Sequence, residues 1–157
     1  MHHFVIRVVG GTHEAWHPQA IHKYIESLRP FARVEVVELE EAHRGSARPN
    51  VEETRKREGE RLLQSLPVNA MLVALDERGT NDVSTRFAER LETWAEGGRP
   101  VVFLIGGSWG LPDDVRKKAH HLLSFGKQTM PHVLTRILLL EQLYRAETIL
   151  RGKEYHK

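Results

Sequence analysis

His13-Glu14-Ala15-Trp16-His17 sets two imidazoles four residues apart with a glutamate beside the first. On a helix this spacing presents two zinc ligands and a water-activating carboxylate. Pro18 follows at once and pushes His17 away from helical geometry, so an ordinary strand-to-helix connection after Gly10-Gly11 is the expected use of these residues. Gly106-Gly107-Ser108-Trp109-Gly110 is a second candidate, because amides without Cβ atoms around them can approach a nucleotide-like ligand. It lacks the Lys-Ser/Thr ending of a phosphate loop and the spacing of GxGxxG, which leaves a plain tight turn open. Asp76 either bonds a ligand hydroxyl or caps a turn, the commoner use. The tail Glu154-Tyr155-His156-Lys157 joins a ring, an imidazole and a cation, able to stack on a base, move a proton near neutral pH and hold a phosphate. A frayed polar end is the alternative.

The elements that must position these groups alternate. Phe4–Val9 reads as a buried strand ending at Gly10-Gly11, and Pro18 suits the first turn of a helix whose apolar stripe is Ile21, Tyr24, Ile25 and Leu28. Val34–Leu39 makes a second strand, and the polar run from Glu41 to Asn50, with Gly45, Ser46 and Pro49, reads as a loop. Val51–Leu66 is a charged amphipathic helix stopped by Pro67, and Ala70–Leu75 is a third strand ending in Asp76-Glu77-Arg78-Gly79. Ser84 is expected to cap a helix that turns Phe87, Leu91 and Trp94 inward and ends at Gly97-Gly98. Val101–Ile105 is the fourth strand and runs into Gly106-Gly107. A short helix from Asp113 to about Leu123, a loop bearing Gly126 and a long helix from His132 to Leu150 complete the chain.

Continuous apolar strands separated by helices predict a mostly parallel α/β sheet covered on both faces, in a single domain over residues 1–157. Ligands of such sheets bind beyond the carboxyl ends of the strands, where Gly10-Gly11, Leu75-Asp76 and Ile105-Gly106-Gly107 lie. Glu141 and Arg145 stand at i, i+4 on the last helix, the spacing of a surface ion pair, and its broad leucine face suits the core or a subunit interface.

Composition narrows the classes. The 157 residues hold 40% apolar and 28% charged side chains, ordinary for a globular chain and unlike a disordered one. With no cysteine, disulfide scaffolds, thiolate zinc sites and cysteine nucleophiles are excluded. The apolar runs are too short to span a bilayer, and the first residues lack the build of a signal peptide, so a cytoplasmic location is expected. Behind a formal charge of +2, residues 115–157 carry nine Lys/Arg against three Asp/Glu. That imbalance suggests a polyanionic partner, although solvated helix faces account for it equally well.

Several segments, in order, resemble one family. They are Leu104-Ile105-Gly106-Gly107-x-x-Gly110-Leu111, Leu123-Ser124-Phe125-x-Lys127-x-Thr129-Met130-Pro131-His132, the run Arg136–Ala146, and Tyr155-His156-Lys157, with Glu58-Gly59-Glu60-Arg61 and Leu75-Asp76 upstream. In this order they resemble the RlmH family, SPOUT-superfamily methyltransferases that modify N3 of a pseudouridine in bacterial 23S rRNA. The resemblance implies a SPOUT-type fold with a C-terminal trefoil knot, an exception to the rule against threaded chains. It implies S-adenosylmethionine as methyl donor, no metal, and cofactor contacts from Leu75, Gly107, Gly126, Lys127, Gln128, Thr129, Met130 and Pro131. A homodimer is implied, with the long last helix near its interface and a tail that reaches a composite site. The assembled ribosome is the implied substrate. Ser108-Trp109 and Gly126 depart from commoner residues in relatives.

The chemistry asks for alignment of donor and acceptor and for removal of the imide proton on N3. His156 or Tyr155 is expected to orient or deprotonate the base, and Arg136 or Arg145 to balance the anion. The rival readings are an RNA-binding module of the same fold without turnover and a zinc hydrolase built on His13 and His17.

Overall fold

The computed structural model describes residues 1–43 and 47–157. Of the stretch expected as a loop between Glu41 and Asn50, Gly45 and Ser46 lie outside the described residues. Among the described residues, β1 (His2–Val9), β2 (Ala32–Leu39), β3 (Met71–Thr80), β4 (Val101–Ile105) and β5 (His121–Leu123) form one sheet. Its order is β2-β1-β4-β3-β5, and every pairing is parallel. The helices are α1 (Trp16–Leu28), α2 (Val51–Leu63), α3 (Ser84–Trp94), α4 (Asp113–Lys118) and α5 (His132–Leu150).

Side chains alternate across the sheet and divide the core in two. Phe4, Ile6, Val8, Val73, Phe103 and Ile105 pack with Ile21 of α1, Phe87 and Leu91 of α3, and Leu139, Leu140 and Leu143 of α5. Val5, Val9, Leu72, Ala74, Val102 and Leu104 belong to a second cluster with Leu62 of α2 and Val115 of α4. The central strand β4 and the Phe4–Val9 part of β1 have both faces covered and no solvent side to mark with polar residues, whereas the edge strand β2 keeps Arg33, Glu35 and Glu38. Arg7 is the exception within Phe4–Val9; its Nη2 donates to the carbonyl of Arg61 at 2.8 Å.

Besides strand starts displaced by one or two residues, four features differ from the sequence reading. Helix α2 stops at Leu63, because Gln64 turns extended and Ser65 takes a φ of 54° before Pro67 is reached. Strand β3 runs on to Thr80: Leu123 pairs with Leu75 and again with Thr80, across a break in register. The stretch expected as one helix to Leu123 instead leaves α4 at Lys118 and forms β5, whose three residues are too few for periodicity to reveal. Ser84 does not cap α3; its hydroxyl donates to Gln142 Oε1 of α5 at 2.8 Å, and Val83 occupies the cap position. No helix among the described residues is long and apolar enough to cross a membrane.

Candidate active site

The ends of β3 and β4 and the chain beyond β5 come together around one cleft of about 530 Å³, lined by Leu75, Gly107, Gly126, Gln128, Thr129, Met130 and Pro131 among others. Seven of the eight expected cofactor residues thus share a wall; Lys127, in the same segment, is exposed and is not among the lining residues. The volume falls in the range of small-molecule sites.

Each wall has a local cause. Apolar β4 ends at Gly106-Gly107, and Gly110 closes the turn by donating its amide to the Gly107 carbonyl at 3.0 Å. A Cβ on Gly107 would lie 2.9 Å from Glu58 Oε2 and 3.0 Å from Val9 Cγ1, so only glycine lets this strand end pack so closely. The segment after β5 is held by Ser124, whose hydroxyl donates to the Gly126 carbonyl at 2.8 Å and accepts from the Gly126 amide at 3.0 Å. Gly126 has a φ of 142°, a conformation that side chains resist, so glycine suits this position.

Asp76 is neither a free ligand group nor a lone turn cap. Its carboxylate accepts from the amide and Nε of Arg78 at 2.9 and 3.0 Å, and from Arg116 Nη1 at 3.3 Å. Burial pushes its pKa up, but the hydrogen bonds and charges of the two arginines outweigh that and hold it below the usual carboxylate value. Arg55, Arg78 and Arg116 line the same cleft and were missed by motif reading, because isolated arginines carry no spacing signal.

His132, at the start of α5, also lines the cleft. Its ring stands over Gly10, where a Cβ would lie 2.7 Å from Nε2, and Nδ1 is buried without a hydrogen-bond partner. Burial first, and the nearby charge of Arg136 second, lower its pKa from the usual histidine value.

The groups expected to do chemistry form a separate cluster. Tyr155 donates its hydroxyl to Glu141 Oε1 at 3.2 Å, packs edge-on against Tyr144 at 4.7 Å, and carries the Arg145 guanidinium 4.7 Å above its ring. Arg145 is anchored to Glu141 Oε1 at 2.5 Å, and its Nη1 lies 3.4 Å from His156 Nδ1. Burial, with the carboxylate of Glu141 next, raises the pKa of Tyr155, so this phenol keeps its proton and serves as a donor. His156 lines a neighbouring depression with Leu123, Ser124 and Phe125, residues that also border the cleft. Arg136 stands apart: it is almost fully buried, paired with Glu38 at 2.6 Å and bonded to the Gly10 carbonyl.

The His13/His17 pattern does not form a helical pair. His13 precedes α1, whereas His17 is helical in its first turn despite Pro18, contrary to the expectation; its Nδ1 accepts from the amides of His13 and Glu14 at 3.4 and 3.3 Å, tying down the connection that precedes the helix.

Comparison with known proteins identifies the family of the chain. The model of the family described as predicted SPOUT methyltransferase matches residues 2–156. A protein of Anaeromyxobacter sp. (strain Fw109-5) named ribosomal RNA large subunit methyltransferase H is 43% identical over 151 residues, covering 95% of each chain. One of the same name from Geotalea daltonii is 43% identical over 149 residues, covering 94% of this chain and 95% of its own. Among solved structures, one described as a probable methylase family protein from Haemophilus influenzae Rd KW20 superposes with a TM-score of 0.51 at 14% identity. That match covers 99% of this chain and 70% of the other, and speaks for the fold. With matches over nearly its whole length, this chain belongs to the SPOUT methyltransferases and, among them, to the RlmH family.

Proposed function

We propose that the protein is an S-adenosylmethionine-dependent methyltransferase acting on N3 of a pseudouridine in the 23S rRNA of the assembled large ribosomal subunit, in the cytoplasm. The observation that carries the reading is the convergence of Leu75, Gly107 and the Gly126–Pro131 segment on one cleft. The names of its relatives, ribosomal RNA large subunit methyltransferases, supply the substrate class.

The cleft suits the donor in size and character. Its backbone is open at Gly107, apolar walls at Leu75, Leu111 and Met130 can receive a purine and a thioether chain, and Gln128 and Thr129 offer polar contacts. S-adenosylmethionine supplies a methyl group already activated on a sulfonium, so the protein's task is alignment, exclusion of water and management of one proton. Leu75, Gly107 and residues 126–131, Lys127 included, hold the donor in this reading. His156 takes or relays the N3 proton, and Tyr155, which keeps its own, orients the base by donating a hydrogen bond. Arg145, stacked on Tyr155 and beside His156, balances the anion of the deprotonated base, with Arg136 as the alternative cation.

The same reading carries a single domain, a trefoil knot and a homodimer. The knot rests on the family resemblance alone; within β3 the segment 76–80 breaks register and pairs again with β5, where a Cβ on Gly79 would lie 2.6 Å from the Leu122 carbonyl carbon. What supports the dimer is the tail, which in one chain lies beyond the Leu123–Phe125 wall from the cleft, so that a second copy is needed to complete the site. Leu134 of α5 and Val83 expose apolar surface that a second copy would cover.

Mass spectrometry of large-subunit RNA tests the proposal, after incubation of ribosomes from a strain lacking the modification with this protein and methyl-labelled donor. One labelled methyl on N3 of a pseudouridine is expected. Donor binding without label in the RNA would instead favour a binding module without turnover.

A further inference from the structure

Glu58, in the middle of α2, is 1% exposed and sits directly behind the cleft wall formed by Gly107. A Cβ on Gly107 would lie 2.9 Å from Oε2 and 3.1 Å from Oε1, so the carboxyl presses on that backbone from the side away from the cleft. Among the described residues neither oxygen accepts a well-formed hydrogen bond, although the Ala42 amide and the His43 ring lie near enough to favour its charged form. A buried carboxyl so poorly supplied with donors is costly when ionised, and chains rarely keep one for packing alone.

The surroundings connect this carboxyl to the rest of the turn. His43, from the segment after β2, lies beside Glu58, and its ring stands 6.4 Å from that of Trp109, on the exposed lip of the Gly106–Gly110 turn. Among the described residues its Nδ1 is buried without a partner as well. The charged and titratable groups that the described residues place around Glu58 are His43 and Glu41 from that segment and Arg61 from its own helix. Strand β1 and the turn present Val9 and Gly107.

We propose that Glu58 is a positioning residue for the Gly107 wall, and that its neutral carboxyl holds the wall in the shape that receives the methyl donor. The inference rests on the reading of the cleft as the donor site. Burial pushes the carboxyl's pKa up and the charge of His43 opposes it. Below that raised value the group is neutral and fits the space it has. As pH rises through it, the ionised carboxylate has only the Ala42 amide and the His43 ring near it, neither in a well-formed hydrogen bond, and the wall shifts to improve those contacts. Donor binding thus favours the protonated form, and affinity falls as pH rises.

Calorimetric titration with S-adenosylmethionine, from about pH 5.5 to 8.5, tests this on the full-length protein and on Glu58→Gln and Glu58→Ala, alongside thermal melts. The amide of Glu58→Gln keeps the shape and does not titrate. The difference between its profile and the wild-type profile removes every other titrating group. The wild-type affinity is expected to fall on the order of tenfold more than that of Glu58→Gln across the range. Glu58→Ala is expected to bind the donor about tenfold more weakly at the acid end, with turnover at saturating donor nearly unchanged. Parallel profiles for wild type and Glu58→Gln overturn the proposal, whatever Glu58→Ala does or whether it folds. Wild-type protein that binds no donor at any pH overturns the reading of the cleft, and this inference with it.

Discussion

The guanidinium of Arg136, in the second turn of the last helix, donates from Nη2 to the carbonyl of Gly10, at the end of the first strand, at 3.2 Å. Its Nη1 reaches Glu38 Oε1 at 2.6 Å on β2, so one buried side chain fastens α5 to the ends of two neighbouring strands. The residues it holds in place are Pro131 and His132, which line the cleft just ahead of it.

Arg136→Met should therefore destabilise the fold by about 2–4 kcal/mol, because it leaves a buried carbonyl without its donor and removes a buried ion pair. Glu38 is half exposed and can turn to water, which keeps the loss below that of a fully buried pair. Urea unfolding measures the loss, and donor affinity should fall with it. Unchanged stability with lost turnover would assign Arg136 to the reacting base instead.

Gly107→Ala tests the closeness of the wall. The new methyl would meet Val9 Cγ1 at 3.0 Å and the Glu58 carboxyl at 2.9 Å, neither of which can retreat far in a packed interior. A cost of about 1–3 kcal/mol is expected, with donor affinity reduced more than tenfold as the turn is pushed into the cleft. Thermal melts and equilibrium binding on the same preparation separate the two effects; full affinity in a destabilised protein would place the donor elsewhere.

The sequence carried most of the architecture because the sheet is covered on both faces. Val101–Ile105 is apolar at every position and Phe4–Val9 at every position but Arg7, and such runs stand out. Long α5 was legible for the same reason, through Leu139, Leu140 and Leu143. What escaped is set by tertiary contact. The three residues of β5 are a strand only because β3 lies alongside, and Ser84, a good cap by type, is drawn to Gln142 instead. The cleft followed from the resemblance carried by ordered motifs, whereas spacing alone left the glycine turn and Asp76 ambiguous. Arg78 and Arg116 reach the cleft through Asp76, a contact no periodicity encodes.

Two histidines give the fold an acid limit. Burial lowers the pKa of His132 and of His121, with the charges of Arg136 and Arg90 next in effect. The unfolded chain takes up protons as pH falls through the usual histidine value of 6.5, while the folded protein resists until a lower pH. Stability should therefore be lost as pH falls from about 6.5, as the unfolded state gains protons that the native state refuses. His121 also stacks on Trp94 at 5.1 Å, so His121→Phe keeps a ring there and should remove part of the acid loss. Urea midpoints at neutral and mildly acid pH check this; an equal drop in wild type and variant would clear His121 of the effect.

Removal of Tyr155–Lys157 separates the two halves of the site. Tyr155 holds Arg145 through its ring and Glu141 through its hydroxyl, but Arg145 and Glu141 remain bonded to each other without it. The cleft walls at Leu75, Gly107 and Gly126–Pro131 owe nothing to the last three residues, none of which lines them. Donor affinity should then stay within about threefold of wild type and stability should change little, since the loss is confined to a half-exposed edge. Methylation should disappear, because the group closest to the proposed proton transfer goes with the tail. Single-turnover assays on ribosomes with pre-bound donor read the chemical step directly. Turnover that survives the truncation would move the proton's acceptor off the tail and onto the ribosome or the cleft itself.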